Sequence, residues 1–187
     1  VAFVNMGAGQ AWAALVYFGP AGSYEVLAEQ GDPWLGGDDC NLRLAGLLRR
    51  RLAESSGDGM IPPEMEESVT QRLLTEAEVA KRGMGKAGNV EVLLPFLLLG
   101  SENRPQHIRF SVSAGEAESD VADLVSRLQA LGRSALEACG LQHYDVEHLV
   151  LLGGQAQLRP FAAALSDPAP GGGIFGRPPY RVDPGKV

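Results

Sequence analysis

A backbone that must pass close to a phosphate or a flat aromatic base cannot carry a Cβ at the contact, so strands that run into glycine turns are one way to cradle a nucleotide. This chain has two of them, Asn5-Met6-Gly7-Ala8-Gly9-Gln10 and Gly153-Gly154-Gln155-Ala156-Gln157. Between them, Gly31-Asp32-Pro33-Trp34-Leu35-Gly36-Gly37-Asp38-Asp39 opens a helix, and Glu78-Val79-Ala80-Lys81-Arg82 lies near the end of another. Each segment also has a plain structural reading. Gly7 and Gly9 suit a hairpin turn, Gly36-Gly37 a helix entry, and Lys81 and Arg82 a charge pair that offsets the helix dipole. Four such segments in one chain are what a ligand-facing surface needs, and they are expected to converge on one concave face.

The elements that would carry them follow from periodicity and turn residues. Val1–Val4, Ala11–Phe18 and Tyr24–Ala28 read as a small meander, with Gly19-Pro20-Ala21-Gly22 turning the second strand into the third. Asp38 or Asp39 can cap a helix in which Leu42, Leu44, Leu47, Leu48 and Leu52 recur through Glu54. After a break over Ser55–Pro63, Glu64–Arg82 reads as a charged helix with Val69, Leu73, Leu74 and Ala77 as its apolar stripe and Gly83 and Gly85 as its stop. Asn89–Leu99 and Gln106–Val112 form a hairpin about Gly100-Ser101-Glu102-Asn103. The longest helix is expected from Glu118 to Cys139, ended by Gly140. His148–Leu152 is a continuous apolar strand, expected to be buried on both faces, and Leu158–Leu165 is the helix after its glycine turn. Asp167–Pro179 is a loop, and Tyr180–Val182 a last short strand.

Composition bounds the function. The chain has 187 residues, 45% of them hydrophobic, which fits one globular domain with a packed core. A formal charge of -7 argues against a nucleic-acid surface, and Arg49-Arg50-Arg51 reads as a solvated helix face. Cys40 and Cys139 form no C-x-x-C, and His107, His143 and His148 have no metal-ligand spacing, so neither a disulfide framework nor a metal site is expected. The longest apolar run, Val92–Leu99, contains a proline and falls far short of the ~20 residues that span a membrane. With no charged leader before Val1 and an abrupt close at Asp183-Pro184, the expectation is a piece of a longer, cytoplasmic protein.

The order and spacing of these motifs resemble the second lobe of the actin-like ATPase domain in the seventy-kilodalton heat-shock chaperone (DnaK) family, over essentially the whole chain. The run Gly31–Asp39 with Asn41-Leu42-Arg43-Leu44 is the most specific match, although the family has an aspartate where Asn41 stands. The resemblance implies an α/β fold, an actin-like (ribonuclease H-like) lobe with a mixed sheet. Residues 1–56 and 113–187 would form the sheet-and-helix core, and residues 57–112 an inserted smaller α/β subdomain. It implies that Gly37 and Asp38 lie beside the nucleotide, that Glu78, Lys81 and Arg82 hold the adenosine, and that Gly153-Gly154 is the adenosine loop, with Gln155 and Gln157 where the family has serine and a base-stacking arginine. ATP or ADP with Mg is the implied cofactor of the longer protein, with no tight binding by this piece. The implied partners are a first lobe from the same parent chain and an exchange factor or client protein, with no nucleic acid and no membrane.

The first turn departs most from the family pattern of Asp-Leu-Gly-Gly-Gly-Thr with an acid two residues on. Here the matching positions are Asn5, Gly7, Gly9 and Gln10, then Trp12. The family's acids place metal-bound water for attack on the γ-phosphate, and Asn5 has no charge and cannot be a general base. Three readings therefore stand: an ATP-binding lobe of a chaperone-like protein, a degenerate relative used as a protein-interaction module, and an unrelated dinucleotide binder. The last lacks Gly-x-Gly-x-x-Gly, and its first loop would have to lead into a helix.

Overall fold

The computed structural model describes residues 1–56, 61, 63–83, 89–99, 105–169 and 172–182. Gly57, Gly85, the Gly100–Asn103 turn and Asp183-Pro184 lie outside them. In chain order the strands are β1 (Ala2–Met6), β2 (Ala11–Phe18), β3 (Tyr24–Asp32), β4 (Asn89–Leu99), β5 (Pro105–Ser113), β6 (Leu149–Leu152) and β7 (Pro179–Arg181). The α-helices are α1 (Gly37–Ser56), α2 (Glu66–Gly83), α3 (Ala114–Asp120), α4 (Ala122–Ala138) and α5 (Arg159–Ser166). Two compact units emerge: Val1–Asp39 with Ala122–Val187, and Cys40–Val121.

The first unit is built on a five-stranded mixed sheet in the order β3-β2-β1-β6-β7. Strand β1 is central, antiparallel to β2 with Asn5 opposite Trp12, and parallel to β6 with Asn5 opposite Leu152. The expected sheet of meander and His148–Leu152 is therefore present. Alternation puts Ala2, Val4, Met6, Ala11, Ala13, Leu15, Leu149 and Leu151 in the core. Helix α4 packs on β2, β3 and α5, and contributes Leu124, Leu128, Leu131, Ala135 and Leu136. Past α5, the backbone N–H groups of Ile174 and Phe175 donate to the Ala164 and Leu165 carbonyls, so the segment leading into β7 satisfies the end of that helix.

Several sequence expectations are corrected here. Strand β6 is not buried on both faces: Leu149 and Leu151 are buried, while Val150 and Leu152 are half-buried. Strand β3 runs on to Asp32 because Glu29–Asp32 stay paired with β2. The expected helix from Glu118 to Cys139 is two helices, divided at buried Val121, whose backbone leaves helical geometry at φ -104° and ψ 7°. Among the described residues the longest helix is α1, at 20 residues. Its stripe lacks Leu42, which is 62% exposed, while Leu44, Leu47, Leu48 and Leu52 are buried.

In the second unit β4 and β5 form the expected antiparallel hairpin, with Val92, Leu94, Ile108 and Val112 buried, and α2 packs on β4. Helix α3 starts at a capping box, in which the Ser113 hydroxyl accepts from the Glu116 N–H and the Glu116 carboxylate accepts from the Ser113 N–H. The arginine triplet is not simply a solvated face. Arg49 pairs with Glu66 of α2, Arg50 with Asp120 of α3, and Arg51 with Glu54 and Glu116.

Candidate functional site

In the first unit the turn between β1 and β2 closes on itself through a hydrogen bond from the Gly7 N–H to the Gln10 carbonyl, 3.0 Å long. The start of α1 is bound to that turn: the Gly37 N–H donates to the Gly7 carbonyl at 2.9 Å and the Asp38 N–H to the Ala8 carbonyl at 2.8 Å. The close approach requires a glycine just before the helix. A Cβ at Gly36 would stand 2.1 Å from the Ala8 carbonyl oxygen and 2.7 Å from the Gly9 carbonyl carbon. Of the two expected caps, Asp39 is the one that engages the helix start, from within the first turn. Gly36 is the residue before it, and Asp39 reaches back to accept the Gly36 N–H at 2.8 Å. The exposed side of the turn is left to Ala8, Gly9 and Gln10.

The turn after β6 closes on the same strand end. Gly153 adopts φ +77°, and a Cβ there would meet the Met6 carbonyl oxygen at 2.4 Å and Asn5 Oδ1 at 2.7 Å. Three of the four glycine or helix-entry segments are thus packed together within one unit. Gly9 and Gly154 differ from Gly36 and Gly153, for a Cβ on either would meet nothing within 4 Å. Gln155 is buried. The Gln157 amide donates to the Val182 carbonyl at 2.6 Å, so it is tied to the chain just past β7. A cavity of about 820 Å³ in this unit, lined by Arg133, Glu137, His143 and Asp167 among others, shares no residue with these turns.

The fourth segment lies on the last turns of α2, in the second unit. Glu78 is its hub: Lys81 Nζ approaches one carboxylate oxygen at 2.6 Å and Arg82 Nε the other at 2.9 Å. Asn41, near the start of α1, also hydrogen-bonds to Glu78. Burial alone would raise the Glu78 pKa, but the hydrogen bonds from Lys81, Asn41 and Arg82 and the Lys81 charge together hold it at about 2. Lys81 is 8% exposed, whereas the Arg82 side chain is 78% exposed, so the lysine anchors the cluster and the arginine extends from it. The role of Asn41 as a donor to Glu78 was missed in the sequence. Its only signal was an amide where the resembling family has an acid, since an amide can donate to a carboxylate and an aspartate cannot.

A family model described as Hsp70 protein matches residues 1–168. The chain belongs to the Hsp70 family. It is 32% identical over 159 residues to the chaperone protein DnaK of Buchnera aphidicola subsp. Schizaphis graminum, across 85% of this chain and 23% of that protein. It is also 32% identical over 137 residues to the chaperone protein dnaK3 of Synechocystis sp., across 73% of this chain and 17% of that protein. The chain therefore spans at most 23% of the length of these curated Hsp70 relatives. Its mixed sheet with flanking helices is consistent with the actin-like ATPase fold of the Hsp70 family. Among the described residues no helix is long and apolar enough to cross a membrane.

Proposed function

We propose that this chain is the nucleotide-binding second lobe of a chaperone-like Hsp70 protein, holding the adenosine side of ATP or ADP in a cleft completed by a first lobe. Residues 1–56 and 113–187 would form the lobe's core and residues 57–112 its outer subdomain, in a cytoplasmic protein whose partners are a client or an exchange factor. The observation that carries the reading is the packing of Gly36–Gly37 and Gly153 onto the Gly7–Gly9 turn. That contact leaves Gly9 and Gly154 beside open space, where a ligand can approach backbone N–H groups without meeting a Cβ. Glu78, Lys81 and Arg82 supply an acceptor and two cations suited to ribose hydroxyls and a purine ring.

The residues fit a nucleotide better than they fit its hydrolysis. Bound Mg would supply charge neutralisation on the phosphates, but Asn5 and Gln10, which flank the first turn, carry neutral side chains. Among the described residues no three His, Cys, Asp or Glu side chains come together as metal ligands. We assign no hydrolytic step to this chain, because Asn5 stands where the family has an acid and cannot act as a general base. Gln157 lacks the guanidinium charge that attracts an arginine to a ring face, and its amide donates to the Val182 carbonyl instead. That engagement favours, as a second reading, a non-hydrolysing relative that serves as an interaction module.

Calorimetry of the longer protein with ATP and ADP tests the proposal, alongside turnover with Mg and ATP. Adenine nucleotide should bind, and Lys81→Ala and Gly9→Ala should each weaken that binding about tenfold or more. Absence of binding when both lobes are present would leave the interaction module standing. Robust turnover that survives replacement of Asn5 and Gln10 would overturn the assignment of the first turn.

A further inference from the structure

We propose that Arg127 is a positioning residue for the Gly7–Gly9 turn, acting through the Asp32–Trp34 turn and the helix entry beyond it. Arg127 projects from α4, and its Nη2 lies 2.7 Å from Asp32 Oδ2 and 2.8 Å from the Trp34 carbonyl oxygen. The other Asp32 oxygen accepts the Trp34 N–H at 2.9 Å. One guanidinium nitrogen therefore closes a turn that Asp32 has already half closed, with Pro33 fixing the backbone between them.

The backbone of residues 35–38 has no slack. Leu35 is fully buried, Gly36 lies against the Ala8 carbonyl, and the Gly37 and Asp38 N–H groups are bonded to Gly7 and Ala8. Asp32 itself is paired with Ala11, the first residue of β2, so the path from Asp32 to Asp38 is held at both ends of the first turn. A change in the Asp32–Trp34 geometry must be taken up by Gly36, where the backbone already approaches Ala8 as closely as a glycine permits. The ion pair is part-exposed, with 41% of the Arg127 and 25% of the Asp32 side chain open to solvent. Pairs this exposed add little to global stability, so Arg127 is expected to act on geometry rather than on unfolding.

Amide hydrogen exchange on this chain tests the positioning directly. Arg127→Gln should speed exchange at Gly37 and Asp38 about tenfold, with the amides of β6 unchanged, and Arg127→Lys should restore most of the protection because it keeps a cationic donor on α4. Asp32→Asn, which keeps the Trp34 turn bond and removes the charge, should shift the same two amides in the same direction. Unchanged exchange at Gly37 and Asp38 in Arg127→Gln, or an equal rise throughout the sheet, would overturn the proposal.

The consequence for ligand affinity rests on the nucleotide reading. In the longer protein, Arg127→Gln should weaken ADP binding about tenfold with little change in melting temperature, and Arg127→Lys should bind near the wild-type level. Arg49→Gln, which breaks an ion pair of similar exposure in the other unit, should leave affinity unchanged. If the wild-type protein takes up no adenine nucleotide, the nucleotide reading fails while the exchange experiment still decides the role of Arg127.

Discussion

At the scale of single residues, Glu78 sets the charge state of its cluster. Its folded pKa of about 2 lies below the ordinary value of 4.5, so the stabilisation it provides is complete above about pH 4.5 and is lost as pH falls toward 2. Glu78→Gln should flatten stability against pH across that window and cost on the order of 1 kcal/mol at neutral pH, a modest figure because 34% of the side chain faces solvent. Urea unfolding at several pH values gives both quantities. Gly36 and Gly9 should separate structure from ligand contact. Gly36→Ala forces a Cβ onto a backbone carbonyl and should cost about 2 kcal/mol or more, whereas Gly9→Ala meets nothing and should change stability by less than about 0.5 kcal/mol. Thermal or chemical unfolding of the two variants checks the contrast. Glycine spacing made the two turns legible in the sequence, but not which glycine takes the tight contact. Gly36 and Gly37 are equivalent letters until Ala8 is placed against one of them. Arg127 was illegible for a similar reason, because its partners Asp32 and Trp34 lie more than 90 positions away in the chain.

At the scale of elements, the strands were legible wherever a glycine turn bounded them, and the helices wherever an apolar stripe faced a core. The stripe failed at Val121. The helical period runs unbroken through Glu118–Val125, and only the burial of Val121 and its non-helical backbone divide α3 from α4. A start signal was nevertheless present in Ser113-Ala114-Gly115-Glu116, which has capping-box spacing and matches the observed box. Ser113→Ala should therefore cost about 0.5–2 kcal/mol and speed amide exchange in α3. It should leave α4 protected, since α4 belongs to the other unit. If both helices lost protection together, the division at Val121 would not be a real boundary. Strand β3 was read short for the opposite reason. Glu29, Gln30 and Gly31 have weak strand preference, and it is pairing with Ala14, Ala13 and Trp12 that extends the strand.

At the scale of the whole molecule, the negative net charge and the arginine triplet fit together. The triplet is engaged by acids of α1, α2 and α3, so its charge is offset within the helices that carry it. The central position of β1 has a further consequence, for the time during which the protein is being made. One neighbour of β1 is its immediate successor β2, but the other is β6, which comes after the entire Cys40–Val121 unit in the chain. A ribosome working from the N-terminus thus completes the meander and the inserted unit before the strand that closes the sheet exists. Such long-range parallel pairing is slow to form, and until Leu149–Leu152 arrives the N–H and C=O groups along one side of β1 face water, where any passing nascent strand can pair with them.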